Sequence, residues 1–496
     1  MDRARLVLVS IVVVAVGLMA GVWNGRAPLQ TDARTGIGVP AVGAENDISS
    51  TWFCAGGSAS LDPAPHHQIF ITNTGSRSVE TRVTAFGAEG KVGSQEIKVE
   101  ANAIVSLDLD VLFSASGLAA MVEAPRGGVV ATSWIISSDV ADAAPCQREA
   151  SASWYFPSQT SLIGATAQLV LFNPFSSDAG VDVTSAVADG VRSPTEWTGV
   201  VVPAGTVKVL DLAAQIQRRD QFAVTVRVRS GRAFAQSVQS FAQVKIAEVG
   251  PFSGLRLTAP VAQPRESWDF AGGFKDSGAS ESLVVFNPNT TAAVVRVQVT
   301  PYGGTDMAPE PFEMRVPARR YSVLDLSKEG RVPDVGFHSI SIESEPGEAV
   351  VVQRTIRLTA APATGDAATV SRASLGDGVG ADTGVSGSAK DWILDGILTG
   401  ASNDPMAFIR NPGDKRVKVD VSTRGDDGKP ALVLRNQEIA PGDGVAVRLS
   451  VGSVATAATR TYRVDASGPV VVESLRTFES VPDFSLSSAF PLGPGE

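Results

Sequence analysis

Apolar and polar residues alternate with a period of two along much of the chain, which is typical of strands with one buried and one exposed face. The clearest alternating stretches end at a glycine and cover residues 81–90, 181–190, 295–304 and 417–425. A shorter apolar run precedes each of them and ends in Asn, usually followed by Pro. Asn satisfies local backbone groups in turns and Pro cannot extend a ladder, so these residues mark strand ends. The pattern predicts an all-β chain.

The same order of features occurs four times. Each copy begins at a tryptophan that is followed two positions later by a bulky apolar residue, or by cysteine in the first copy: Trp52, Trp154, Trp268 and Trp392. The strand-ending asparagine follows this tryptophan by 21, 19, 19 and 19 residues, at Asn73, Asn173, Asn287 and Asn411. A Leu-Asp-Leu strand comes next in three copies, with its aspartate at Asp108, Asp211 and Asp325. We expect the tryptophans and asparagines to pack the core and turns of a repeating unit.

Each copy holds about seven strands joined by short turns, which is the density of an immunoglobulin-like β-sandwich. A β-propeller-like closed repeat array is the alternative, but a propeller blade of about 40 to 50 residues is less than half of this period. An additional apolar stretch before the next tryptophan predicts a further strand or a strand that pairs with the neighbouring unit. The predicted organisation is a signal anchor or transmembrane helix at 1–23, a stalk linker at 24–46, β repeats at 47–150, 151–264 and 265–359, a flexible linker at 360–390, and a fourth β repeat at 391–496.

The N-terminus has the pattern of an export signal. Arg3 and Arg5 precede an uncharged apolar run that extends from Leu6 to Val22 and is followed by Trp23. The positive-inside rule places the N-terminus in the cytoplasm and the residues after about 25 outside. We expect a single-pass protein of the cell membrane, with a cleaved signal peptide as the alternative.

Composition narrows the choice of function. The formal net charge of −10 argues against nucleic acid as a partner, because binding to phosphates needs basic patches. Three histidines in 496 residues are few for hydrolytic or metal chemistry. The two cysteines, Cys54 and Cys146, lie at the two ends of the first copy, and in an oxidising compartment they predict a disulfide.

No motif for a catalytic site, a cofactor or a metal site is present. His66 and His67 would point to opposite faces of a strand, so they are interpreted as exposed loop histidines. The recurring aspartates are expected to face outward between core leucines, and no copy carries unusual polar residues. Paired carboxylates for glycoside cleavage need no motif and stay open as an alternative.

The order of Trp52, Cys54, Cys146 and Trp154, together with Asn173-Pro174, resembles an uncharacterised actinobacterial family of secreted proteins. Its members carry one N-terminal transmembrane segment and a domain of unknown function. The resemblance implies an exported, membrane-anchored β protein and implies no activity.

These observations predict a non-catalytic, extracytoplasmic cell-envelope protein that acts as a scaffold or interaction module. It would be held at the membrane by its N-terminal helix and would bind another envelope protein or a cell-wall glycan. The alternatives are a carbohydrate or peptidoglycan receptor that stacks sugars on exposed tryptophans, and an envelope glycosidase.

Overall fold

The computed structural model describes residues 37–57, 65–246, 250–275, 278–304, 308–333, 336–358, 378–400, 404–424, 429–449, 458–479 and 481–493. Nearly all regular structure in these residues is β-strand, which confirms an all-β fold. None of the described helices is long and apolar enough to cross a membrane. The helix expected at 1–23 lies outside the described residues.

The first module is a sandwich of two four-stranded sheets, with strand orders β1-β6-β3-β4 and β5-β2-β7-β8. Its elements are β1 (Ser50–Cys54), β2 (His66–Asn73), β3 (Val79–Gly87), β4 (Gly90–Val99), β5 (Ile104–Asp108), α1 (Leu109–Phe113), β6 (Ala119–Ala124), β7 (Val129–Ile136) and β8 (Ala141–Pro145).

The second module repeats this order as β9-β15-β11-β12 and β14-β10-β16-β17, with β13 also paired to β11. Its elements are β9 (Ser153–Gln159), β10 (Gln168–Asn173), β11 (Ala179–Val187), β12 (Gly190–Arg192), a 3-10 turn (Thr195–Trp197), β13 (Val200–Val202), β14 (Thr206–Asp211), α2 (Leu212–Gln215), β15 (Phe222–Ser230), β16 (Phe234–Ile246) and β17 (Gly250–Thr258).

The third module has the orders β18-β23-β20-β21 and β22-β19-β24-β25. Its elements are β18 (Ser267–Phe274), β19 (Ala279–Asn287), β20 (Ala293–Pro301), β21 (Phe312–Val316), β22 (Arg320–Asp325), a 3-10 turn (Leu326–Lys328), β23 (Phe337–Ser344), β24 (Val351–Leu358) and β25 (Gly378–Asp382).

In the fourth module one long strand, β31, runs through both sheets, so the two sheets form a single continuous one. The elements are β26 (Ala389–Thr399), β27 (Met406–Arg410), β28 (Val417–Arg424), β29 (Pro430–Ile439), β30 (Gly444–Arg448), β31 (Ala458–Phe478), β32 (Val481–Ser488) and β33 (Phe490–Pro491).

Each tryptophan that opens a module connects its two sheets. The indole N–H of Trp52 donates to the Val129 carbonyl oxygen at 2.8 Å, and that of Trp154 donates to Ala233 at 3.0 Å. Trp268 and Trp392 make the equivalent bonds to Val350 and Val470. The indole ring fills the core of the sandwich, while its N–H bonds to the opposite sheet. Tryptophan therefore supplies both apolar packing and a link between the two sheets.

Each strand-ending asparagine fixes a turn and links it to the other sheet. In the second module, the Asn173 amide donates to the carbonyl oxygens of Ser177 and Val202 at 2.9 Å, while its oxygen accepts from the Phe175 N–H at 3.1 Å. Asn73, Asn287 and Asn411 make the same pattern of bonds, and all four asparagines are fully buried.

The apolar stretch at the end of each copy forms a further strand, namely β8, β17, β25 and β32, and we call these the axial strands. Each pairs with its own sheet and also packs on the axial strands of its neighbours: β8 on β17, β17 on β25, β25 on β32, and β32 on β8. The four sandwiches of residues 37–493 therefore close into a ring. The stretch therefore forms an additional strand of its own module, and in the described residues it contacts the neighbouring modules by packing rather than by ladder pairing.

Two predicted linkers differ from the structure. The stalk expected at 24–46 is packed from residue 37 onward, because Val42 is buried and donates its N–H to the Pro491 carbonyl oxygen at 2.9 Å, closing the ring between its two ends. The linker expected at 360–390 contains the axial strand β25. A Cβ on Gly380 would lie 2.6 Å from the Phe484 ring, so the crowded axis requires the small residues that resemble a linker in sequence.

Asn173→Ala should lower the urea midpoint of unfolding. It leaves the buried Val202 carbonyl group without its side-chain partner, at a cost of about 1 to 3 kcal/mol, and removes two part-buried bonds, to the Ser177 carbonyl oxygen and from the Phe175 N–H. The matched control is Gln217→Ala, an exposed amide of the same module with one bond to the Ala214 carbonyl oxygen. Equal midpoints for the two variants would contradict the role assigned to the asparagines.

Candidate functional site

One carboxylate at the ring axis bonds to three other modules. Asp483 of β32 accepts the N–H of Leu255 at 2.8 Å, of Ala141 at 3.2 Å and of Val379 at 3.2 Å, which belong to β17, β8 and β25. It also accepts from the Phe484 N–H at 3.0 Å. Its side chain is buried, and this burial raises the pKa of Asp483 well above its usual range. The contacts make it the polar centre of the ring.

A second aspartate strengthens the contact between the first two modules at the axis. Asp142 of β8 accepts the N–H of Leu257 at 2.6 Å and of Ala143 at 2.7 Å. Complete burial raises the pKa of Asp142 to about 7, against the lowering effect of hydrogen bonds from Ser485 and these backbone amides.

The modules contact each other head to tail through one recurring position. The strand that precedes the axial strand in each module presents a polar side chain, at Thr132, Gln236, Gln353 and Glu473. Gln353 accepts the N–H of Ser158 at 3.2 Å, and Glu473 accepts the N–H of Gly272 at 2.7 Å. Where the fourth module meets the first, Thr132 donates to Asp395 at 2.8 Å. Three of the four interfaces thus place a polar bond at the same structural position.

Aromatic rings fill the rest of these interfaces. Phe53 of the first module stacks on Phe234 of the second with ring centroids 4.1 Å apart. Phe337 of the third module contacts Phe408 of the fourth at 5.2 Å. A Cβ on Gly272 would lie 2.1 Å from the Phe408 ring, which explains the glycine of the Ala-Gly-Gly sequence in that copy.

The interface between the third and fourth modules contains a buried cluster of charged residues. His338 Nε2 lies 2.8 Å from Glu281, and Arg354 Nη2 lies 3.0 Å from Glu473 Oε2. All four side chains are at most 4% exposed. Burial raises the pKa of Glu473 to about 8, although Arg354 acts in the opposite direction. These groups are sealed between modules, where they can stabilise the contact.

The structure corrects two expectations from the sequence. The third and fourth copies do carry unusual polar residues, which a strand pattern conceals because they lie in apolar runs. His67 is not an exposed loop residue: it lies on β2, is 1% exposed, and bonds through its ring to the Leu118 carbonyl oxygen and Ser133 Oγ at 2.7 Å. Burial lowers the pKa of His67 to about 4.

The structure places the other predicted residues in architectural positions. Cys54 and Cys146 form the predicted disulfide, which joins β1 to the end of axial strand β8. The side chains of Trp52, Trp154, Trp268 and Trp392 are 0 to 2% exposed, so they cannot act as a platform for sugars. Trp134 and Trp197 are buried as well.

A shallow pocket of about 310 Å³ lies on the second module, away from the axis. Arg192 and Arg219 line it together with Ser193 and Gln217. Both guanidinium groups face Asp189, at 2.8 and 3.9 Å. Their charge is therefore partly neutralised within the protein.

Comparison with known proteins gives a family without an assigned activity. Residues 140–332 match DUF5719, a family of unknown function, over a segment that begins at β8 and ends in the third module. The expected likeness to a family of unknown function is confirmed for this part of the chain. No curated protein matches the sequence.

Three solved structures show weak similarity. The Anabaena sensory rhodopsin transducer is 20% identical over 18% of this chain and 88% of its own, with a TM-score of 0.16. A Thermotoga maritima protein, number 1070, is 22% identical over 20% and 87%, with a TM-score of 0.17. A tetra-tandem repeat from the extending region of a large adhesion protein is 11% identical over 89% and 99%, with a TM-score of 0.10. At these TM-scores none of them carries an inference about this chain.

Asp483→Ala should open the ring at its axis while the sandwiches stay folded. The amides of Leu255, Ala141 and Val379 lose their acceptor, and hydrogen exchange measured by mass spectrometry should accelerate in β8, β17 and β25. Asp178→Ala is the matched control, because this exposed carboxylate accepts one backbone N–H, from Ala204 at 2.9 Å. Unchanged protection of the three strands would show that the carboxylate does not hold the axis.

Stability should fall as pH rises through 8, partly because of Glu473. The folded state keeps a proton on Glu473 up to a pKa of about 8, whereas the unfolded chain releases it near 4.5. The free energy of unfolding therefore decreases across this interval, by about 2 kcal/mol from this group between pH 6.5 and 8.5.

Glu473→Gln should flatten this part of the pH profile in urea unfolding at pH 6.5 and 8.5. The amide keeps an oxygen for Gly272 and Arg354, and its NH₂ replaces Oε1, which has no hydrogen-bond partner. Glu438→Gln, at a half-exposed carboxylate, serves as the control. If the Glu473→Gln profile kept the wild-type slope, the proton would have to be bound elsewhere.

Proposed function

We propose that this chain is a non-catalytic, extracytoplasmic protein of the cell envelope that presents a rigid ring to an interaction partner. The observation that carries the proposal is that the buried ionisable side chains form bonds between modules. Bonds across module boundaries are made by Asp142, Asp483, Glu473 and Arg354. These side chains therefore stabilise the arrangement of the modules.

Export and membrane attachment are supported by two features. The apolar run at residues 6–22 follows two arginines, in the arrangement of a single-pass anchor with the ring outside. The disulfide between Cys54 and Cys146 suits an oxidising compartment. The proposed location is therefore the outer side of the cell membrane, with the N-terminal helix in the bilayer.

An envelope protein is the favoured partner. Glycans are usually bound by exposed aromatic rings, and the tryptophans of the described residues are buried. The exposed large apolar side chains in the same part of the chain are aliphatic, such as Ile48, Val111 and Ile163. The net charge of −10 argues against nucleic acid.

A glycosidase is supported less well. It needs two carboxylates that face a cleft large enough for a sugar. The buried carboxylates Asp142 and Asp483 instead accept backbone amides from neighbouring modules, which leaves their oxygens committed to the axis.

The proposed topology predicts the redox state of the two cysteines in cells. In the full chain, both buried cysteines should resist alkylation in denaturant until a reductant is added, and before denaturation the chain should stay with carbonate-washed membranes. A variant that lacks residues 1–23 should stay in the cytoplasm with alkylated thiols. A full chain with free thiols, or one released by carbonate, would contradict the proposal.

The proposed role as a platform is tested separately with the full chain in its native envelope. A photo-crosslinking residue at Ile163, which is 83% exposed, should give a discrete adduct with another protein. This adduct should disappear with Asp483→Ala and persist with Asp178→Ala. An adduct that is insensitive to ring opening, or its complete absence across several exposed positions, would argue against the platform.

A further inference from the structure

Three metal-ligating side chains meet at the edge of the first module. His66 lies at the start of β2, Asp108 at the end of β5, and Asp110 in the one-turn helix α1. One ligand atom from each residue lies within 4.8 Å of the other two. His66 Nδ1 is 3.0 Å from Asp108 Oδ2. The three side chains come from two adjacent strands and the turn that follows, so the backbone holds them together.

The backbone also orients both carboxylates. Asp108 caps α1, since its Oδ1 accepts the Val111 N–H at 3.0 Å. Asp110 Oδ2 accepts the His67 N–H at 2.7 Å. Asp108 Oδ2 pairs with His66, whereas Asp110 uses one oxygen for the fold and keeps the other for a ligand. Asp110 Oδ1 is buried and has no hydrogen-bond partner, which is costly unless something else binds there.

Electrostatics at this place favour a cation. The Asp108 and Asp110 carboxylates have oxygens within 4.8 Å of each other. Two carboxylates held this close repel each other. A divalent cation between them would remove the repulsion and satisfy the free oxygen.

The other modules show what the fold itself requires. Asp211 and Asp325 occupy the position of Asp108, and Asp211 caps α2 by accepting the Ala214 N–H at 3.2 Å. At the position of Asp110, the third module has Ser327, whose Oγ accepts the equivalent backbone N–H, that of Glu281, at 2.8 Å. A hydroxyl is therefore sufficient for this structural bond. The second oxygen of Asp110 exceeds what the fold needs.

The residues at the position of His66 can also be compared between the modules. The second and third modules place Thr166 and Ser280 there, so neither has a ligand set like that of the first. In the fourth module the same two positions form an ion pair between Asp404 and Arg448. The pair of His66 and Asp108 therefore has a structural counterpart in the fourth module, and Asp110 is what distinguishes the first module.

We propose that His66, Asp108 and Asp110 bind a divalent transition-metal cation, with Zn²⁺ as the best fit to one imidazole nitrogen and two carboxylate oxygens. His66 is 51% exposed, so the site opens to solvent. Three protein ligands leave at least one coordination position of the metal for water or for a group on a partner.

The test measures Zn²⁺ binding by titration calorimetry on the full chain in detergent, purified without a polyhistidine tag. The wild type should bind one Zn²⁺ per chain. Asp110→Ser copies Ser327 and keeps the bond to the His67 N–H, and His66→Ser copies Ser280. Each variant should weaken binding by more than the roughly tenfold cost of losing an outer-sphere partner.

Asp211→Asn is the matched control, because it changes the equivalent carboxylate of the second module, and it should bind Zn²⁺ like the wild type. Unchanged urea midpoints for the two serine variants would show that the loss of binding is not a loss of folding. The proposal fails if the wild type shows no saturable binding at one Zn²⁺ per chain. It also fails if Asp110→Ser binds as the wild type does, or if Ca²⁺ binds and Zn²⁺ does not.

Discussion

The closed ring of four modules depends on one buried carboxylate, that of Asp483, which accepts N–H groups from the edge strands of the other modules. The axial strands are the edges of their sheets, so their outward N–H groups have no ladder partner within their own module. Apolar contact alone would bury these groups unsatisfied, at a cost of about 1 to 3 kcal/mol each. Asp483 accepts three of them from three different modules and so joins all four modules at the axis.

The buried polar pairs also fix the order of the modules. Four similar sandwiches with purely apolar faces could associate in more than one register, because hydrophobic contact is not directional. The polar contacts of the four interfaces differ chemically: Asp142 with the Leu257 amide, Gln353 with the Ser158 amide, Glu473 with Arg354, and Thr132 with Asp395. A wrong pairing would leave a buried charge or amide without its partner, so each interface selects its own neighbour.

The sequence reveals the module more completely than the ring. Trp154 and Asn173 act on nearby strands of their own copy, and their fixed spacing makes that role predictable. Closure of the ring joins residues as distant in sequence as Val42 and Pro491. No regular spacing of residues in the sequence indicates this contact. The segment around Gly380 resembles a flexible linker in sequence. The crowded axis requires small residues there, and flexible linkers are rich in the same residues. Arg354 and Glu473, charged residues within apolar runs, were the available signal for the buried interface.

Internal repetition supplies a reference for judging each unusual side chain. Glu281 and Arg354 depart from the other copies, yet both belong to the charged cluster at a module boundary, which gives them an architectural reason. Asp110 also departs from the other copies, but Ser327 shows that a single hydroxyl meets the structural need at that position. Asp110 lies beside a histidine and a second carboxylate at a partly exposed edge. Its surplus oxygen, rather than the charge itself, separates a ligand site from a structural contact.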